Sequence, residues 1–243
     1  MNALARRLAV AALALCGAAG GSASVAIARF SEREAGGAFE SWQPLTFPKI
    51  DKHTRYALVD DGGVTVVRAD SDAAASGLVR EIEVDPAAYP ILEWRWKIDG
   101  VLENGDVTRK SGDDYPARVY VTFAFDPERL SFLERAAFEA ARLVYGEYPP
   151  IAAISYIWES RAPVGSIVPN PFTERVQMVV VESGLANAGR WLDERRNLLD
   201  DYRRAFGEDP PKVSGVAIMT DTDNTGESAT AWYGDITFRA ETR

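Results

Sequence analysis

Apolar and polar residues alternate through most of residues 55–125, the period of a β-strand with one buried face. The first run, Tyr56-Ala57-Leu58-Val59, is closed by Asp60-Asp61-Gly62-Gly63, a hairpin signal. Runs at 64–69 and 77–84 follow, and Asp85-Pro86 breaks the second. At 91–98 Leu92, Trp94, Trp96 and Ile98 fall on one face, with Glu93, Arg95 and Lys97 on the other. The two tryptophans are therefore expected in the core. At 117–125 Val119, Val121, Phe123 and Phe125 oppose Arg118, Tyr120 and Thr122. Later strands are predicted at 151–159, 175–182, 213–219 and 230–238, the second of these central because of its Val179-Val180-Val181 run.

Two segments change period. From Asp126-Pro127-Glu128 to Gly146, Leu130, Leu133, Ala137, Ala141 and Val144 recur at helical spacing, with aspartate as cap and proline at the first helical position. A second helix is predicted over 191–206, with Leu192, Leu199, Tyr202 and Phe206 on one face and Gly207 at its end. Helices this far apart in the order do not make regular βαβ units. The expected fold is mainly β: a jelly-roll-like antiparallel β-sandwich, galactose-binding-like or concanavalin-like, with two helical insertions.

The first 28 residues do not belong to that pattern. Arg6-Arg7, an apolar run from Leu8 to Leu15, and small residues ending Ala26-Ile27-Ala28 have the order of a secretory signal. The apolar run is too short to span a bilayer. Cleavage is expected before Arg29, leaving one domain, 29–243, in the periplasm or outside the cell. Cys16 raises lipidation, but Leu15 stands where a small residue is normal.

Composition narrows the function. Cys16 is the one cysteine, so the expected mature chain has no disulfide. The formal charge is −9, and residues 1–28 hold two arginines and no acid, so the mature charge is −11. That argues against nucleic acid as a partner and against simple adsorption to anionic lipid. His53 is the only histidine and lies in a polar run. A histidine metal site or a serine–histidine–aspartate hydrolase is thereby excluded unless His53 itself serves.

Several longer stretches stand out: Glu93-Trp94-Arg95-Trp96-Lys97, Asp113-Asp114-Tyr115-Pro116-Ala117-Arg118, Val181-Glu182-Ser183-Gly184, Gly189-Arg190-Trp191, and residues 201–208 and 217–227. With them the chain resembles the bacterial family catalogued as domain of unknown function 3047, over about 40–239. That resemblance implies no activity and no catalytic residues. The ending Ala231-Trp232-Tyr233-Gly234-Asp235-Ile236-Thr237-Phe238 is similar to the last strand of carbohydrate-binding β-sandwiches.

Three constellations could carry chemistry. The loop 221–227 offers Asp221, Asp223, Thr225 and Glu227, oxygen ligands of the kind calcium takes, so a structural calcium ion is a candidate cofactor. The same loop also reads as a hairpin whose side chains cap their own backbone. Asp113 and Asp114 could bind a cation or a sugar hydroxyl, solubilise a loop, or pair Asp114 with Arg118. Glu93, Arg95, Arg118, Tyr120, Trp158 and Glu159 would form a charged, aromatic-bearing ligand face if their strands were adjacent; an ordinary solvated face is the plain alternative. The expected function is non-catalytic binding of a carbohydrate-like or small anionic ligand in the cell envelope. The alternatives are a carboxylate-based hydrolase or lyase of envelope polysaccharide, using Glu93, Glu159 and Glu182, and an accessory subunit of an envelope complex.

Overall fold

The computed structural model describes residues 23–126 and 150–241, together with Glu128 and Arg135. Thirteen strands lie in these residues: β1 Ser24–Ala28, β2 Gln43–Leu45, β3 Arg55–Asp60, β4 Thr65–Asp72, β5 Ala75–Val84, β6 Ile91–Ile98, β7 Ala117–Phe123, β8 Ala152–Glu159, β9 Ile167–Asn170, β10 Thr173–Ser183, β11 Leu192–Asn197, β12 Val213–Asp221 and β13 Ser228–Arg239. They form two sheets. Sheet A runs β11-β6-β13-β4-β3, and β1 takes the part of β13 that β4 leaves free. Sheet B runs β2-β5-β12-β7-β8-β10-β9. Pairing is antiparallel except between β8 and β10, which are parallel. The two sheets stack as a jelly-roll-like sandwich, as the alternation predicted.

The inward faces explain why. Leu92, Trp94, Trp96 and Ile98 of β6, Val119, Val121 and Phe123 of β7, and Ile154, Tyr156 and Trp158 of β8 are all buried in one cluster. Trp94 meets Tyr156 with ring centroids 5.1 Å apart, Trp96 meets Trp158 at 6.0 Å, and Trp94 meets Trp96 edge-on at 5.4 Å. Each such pair adds about 0.5–1.5 kcal/mol beyond its buried area. Sheet B carries a smaller second cluster on its outer face, built from Val107, Tyr115, Ile157, Met178 and Val180 under the 99–116 loop. The run 179–181 thus divides between two cores, which is why it reads as continuously apolar.

One expectation needs correction. Residues 192–197 are not helical. They form β11, which pairs antiparallel with β6 from Leu192–Trp96 to Asn197–Ile91. The free edge of β6 needs a backbone partner, and the alternation of Leu192, Glu194 and Arg196 with Asp193 and Arg195 fits a strand. The helix, α1, spans Leu198–Phe206 only. Asn197 caps it, accepting from the Asp200 amide at 3.1 Å, and Gly207 closes it in the left-handed conformation with φ 78°. The helix predicted over 126–146 lies almost wholly outside the described residues.

Ser24–Ala28, placed by the sequence at the end of the signal, form β1 against the last turn of β13. Ile27 and Ala28 are buried, and Ile27 O accepts from the Arg80 guanidinium. Removing a leader at Arg29 would empty those positions. Small residues Gly20, Gly21, Ser22 and Ala23 lie just ahead of β1 and meet the same cleavage requirement. If a leader is removed, mass spectrometry of the N-terminal peptide should place the new start upstream of Val25. A chain starting at Arg29 should be less stable by about 2–4 kcal/mol in urea melts, the scale of leaving one large apolar side chain unburied. An exported form beginning at Arg29 with undiminished stability would refute the assignment.

Candidate functional site

The six residues expected to form one ligand face lie in three separate places. Inward parity on β7 sends Arg118 and Tyr120 to the outer face of sheet B. Glu93 and Arg95 lie on the outer face of sheet A. Trp158 is between the sheets, with its indole donating to Gly184 O at 3.1 Å. Glu159 is buried and accepts from the amides of Val107, Arg161 and Ala162. It pins the 99–116 loop and the turn after β8, and its oxygens are already engaged.

On sheet B the outer face is closed. Arg118 is 3% exposed. Its Nε donates to Asp221 Oδ1 at 2.8 Å, its Nη2 meets Asp221 Oδ2, and its Nη1 lies 3.9 Å from Asp113 Oδ1. Tyr115 packs under the guanidinium at 4.7 Å. Asp114 does not pair with Arg118. Its carboxylate instead accepts from Asn224 Nδ2 at 3.0 Å and from Thr225 N and Oγ1 at 2.6 and 2.8 Å. The 113–114 pair therefore divides: Asp113 faces the arginine, and Asp114 fastens the 221–227 loop.

That arrangement changes the expected calcium ligands. Glu227 turns away and accepts from the amides of Glu103 and Asn104 at 2.8 and 2.9 Å. Thr225 is a donor to Asp114. The carboxylates that converge are Asp114, Asp221 and Asp223, with oxygens within 4.8 Å of one another. Asp221 is committed to Arg118. Burial and the neighbouring Asp114 charge raise the Asp223 pKa, so a proton on Asp223 relieves the same repulsion a cation would.

Sheet A presents the open face. Glu93 is gripped by Arg195 and Arg239. Arg95 lies flat on Trp191, its guanidinium carbon 4.2 Å from the ring centroid. A Cβ at residue 234 would collide with Arg95 Cγ, so Gly234 is what lets Arg95 lie across β13. Arg95 makes no ion pair among the described residues, and its Nε is buried without a hydrogen-bond partner. It borders a trough of about 410 Å³ whose wall carries three arginines, Arg95, Arg195 and Arg239, and four carboxylates, Glu93, Asp193, Glu194 and Asp235. Beside it, Asp61 Oδ2 accepts from Lys97 Nζ and Trp191 Nε1, each at 2.6 Å. Those two donors hold the Asp61 carboxyl below its ordinary range.

Sequence reasoning placed Trp191 at a helix start and so missed it. It assigned Trp232 to a last strand without a role. The signal available was parity: Trp232 faces outward because Ala231, Tyr233, Ile236 and Phe238 are buried in the core. His53, expected in an exposed loop, is exposed.

A further carboxylate sits at the edge between the sheets. Glu194 of β11 accepts from Trp96 Nε1 at 3.1 Å. Burial, and then the charge of Glu182, push its pKa up to about 7.

The geometry defines a β-sandwich with one sheet face closed over a buried arginine and the other, among the described residues, open and bearing tryptophans and paired charges. The chain belongs to the family described as "Protein of unknown function (DUF3047)", matched over residues 40–237. No curated protein matches it by sequence. Among solved structures it is similar to endoglucanase 3 of Trichoderma harzianum from family GH12, at 10% identity and TM-score 0.38, covering 84% of this chain and 100% of that one. It is similar to the cellulose induced protein Cip1 at 10% identity and TM-score 0.37, covering 83% and 92%. A third likeness, at 10% identity and TM-score 0.33, is to the glycoside hydrolase domain of Endo-D from Streptococcus pneumoniae R6; it covers 83% of this chain and spans only 22% of that one. Likenesses this distant assign neither an activity nor a site.

Two outcomes test the electrostatics. Arg118→Met should cost about 3–5 kcal/mol in urea melts at pH 7, because Asp221 and Asp113 lose their cation. For Glu194 the folded pKa lies above the unfolded one. Its contribution is therefore complete below about pH 4.5 and lost as pH rises through about 7. Glu194→Gln keeps an acceptor for Trp96. It should flatten this slope and leave the protein more stable than wild type at pH 8 by about 1–2 kcal/mol, allowing for solvent screening. A parallel pH profile for the variant would contradict the assignment.

Proposed function

We propose that the protein is exported and binds a carboxylate-bearing saccharide, without turning it over, on the outer face of sheet A. The observation that carries this reading is Arg95: it borders the trough, its guanidinium lies over Trp191, and it forms no ion pair among the described residues, although Asp193 stands opposite it on β11. In a chain of formal charge −9, with more acids than bases to pair, an arginine left unpaired and held rigid is available to an incoming anion. Arginine suits a planar carboxylate because it donates two parallel hydrogen bonds. Stacking on the indole fixes its orientation before the ligand arrives, which lowers the entropy lost on binding. Arg195 and Arg239 offset the charge of Glu93 in the trough wall.

Of the carboxylates considered for an enzyme, Glu93 and Glu159 are both occupied by donors. That favours binding over turnover. Calorimetry with galacturonate and glucuronate, and glucose as neutral control, tests the reading. We expect uronate binding that Arg95→Ala weakens at least about tenfold, with little change in Tm. Gly234→Ala, which pushes Arg95 aside while keeping its charge, should weaken it as well. Uronate binding unchanged in both variants, or no uronate binding by the wild type, would overturn the proposal.

A further inference from the structure

The register of sheet A places four side chains in a single row across the strands. Trp232 of β13 stands opposite Lys97 of β6 on one side and opposite Arg68 of β4 on the other. Leu192 of β11 stands opposite Trp96, so Trp191, one residue earlier, falls beside Lys97. The contacts agree with the register. Lys97 Nζ lies 5.2 Å from the Trp191 ring centroid and 4.4 Å from that of Trp232, and the Arg68 guanidinium lies 5.8 Å from Trp232. The row thus reads aromatic, cation, aromatic, cation, with Arg95 two residues along β6 at its side.

Strands in a sheet are about 4.8 Å apart, so three steps from the line of β11 to β4 span about 14 Å. One sugar ring does not cover that length, and several linked rings do. We infer that the ligand is a polymer: an acidic polysaccharide lying across the strands of sheet A, one carboxylate on Arg95 and neighbouring units on the row Trp191, Lys97, Trp232 and Arg68. This inference rests on the function proposed above. Sugar C–H faces pack on indoles and carboxylates pair with cations, so a chain bearing both at a regular repeat matches an alternating row. Arg68 and Lys97 are each tied to one carboxylate, Asp70 and Asp61. Those acids hold the cations in place and limit the surplus charge, so the row favours a sugar polymer over a dense polyphosphate.

Calorimetry with galacturonate oligomers from monomer to hexamer separates the possibilities. Affinity should rise roughly tenfold or more with length and then level off once the row is filled. Trp232→Ala and Arg68→Ala should each weaken hexamer binding about five- to tenfold while leaving the monomer unchanged. Arg95→Ala should weaken both. Equal affinity for monomer and hexamer, with Arg95→Ala still weakening the monomer, would overturn the polymer inference and leave the uronate site standing. Binding of neutral cello-oligomers as tight as that of galacturonate oligomers would overturn the acidic class, and tighter binding of single-stranded DNA would replace it with nucleic acid. No effect of Arg95→Ala on any ligand would remove both readings.

Discussion

Everything on the surface of this protein depends on the interlock of Trp94 and Trp96 with Tyr156 and Trp158 between the two sheets. Side chains alternate along a strand, so fixing four aromatics inward fixes their neighbours outward. A slip of β6 by one residue would bury Glu93, Arg95 and Lys97 and expel both tryptophans. No partner in the core could offset three buried charges, so the register has one solution. The indole N–H groups extend the constraint: Trp96 reaches Glu194 on the edge strand, and Trp158 reaches the carbonyl of Gly184.

The same rule of alternation has opposite results on the two outer faces. On sheet B the 99–116 loop folds over β7 and seals Arg118 among acids. A buried ion pair gains Coulomb energy but loses hydration of both partners, so its removal is severe while its presence adds little. Such a group specifies where the 113–118 and 221–227 segments meet. On sheet A no described segment closes over β6 and β13 in that way. Its cations are ordered by tryptophan faces, and an exposed pair contributes little to stability. Charge that does not stabilise the fold is charge free for recognition.

The strands were legible because the period-two pattern is local. Leu92 to Ile98 could be read from eight residues alone. β11 was not, because Leu192 to Asn197 carries five charged or amide side chains in six residues and becomes a strand through the open edge of β6. β1 hid in the same way inside residues that also suit a signal. The buried cluster was half legible. The acids of 113–114 and 221–227 were visible, but Arg118 and Asp221 are 103 positions apart, and the sequence offered the nearer Asp114 as the partner. The row on sheet A needed cross-strand register, which no linear pattern contains.

An acidic domain with a cationic row also constrains how a polyanion could reach it. Beyond about 8–10 Å the field is set by net charge, which is negative, and is screened at physiological salt. Long-range steering therefore opposes the encounter, and affinity must come from contact: stacking on Trp191 and Trp232 and paired hydrogen bonds to Arg95. Salt then acts twice, easing approach while weakening the cation contacts at the row. Contacts made by rigid indoles and a pre-set guanidinium lose little conformational entropy on binding. On the proposed reading, Arg95 held over Trp191, with a glycine at position 234 beneath it, serves that end.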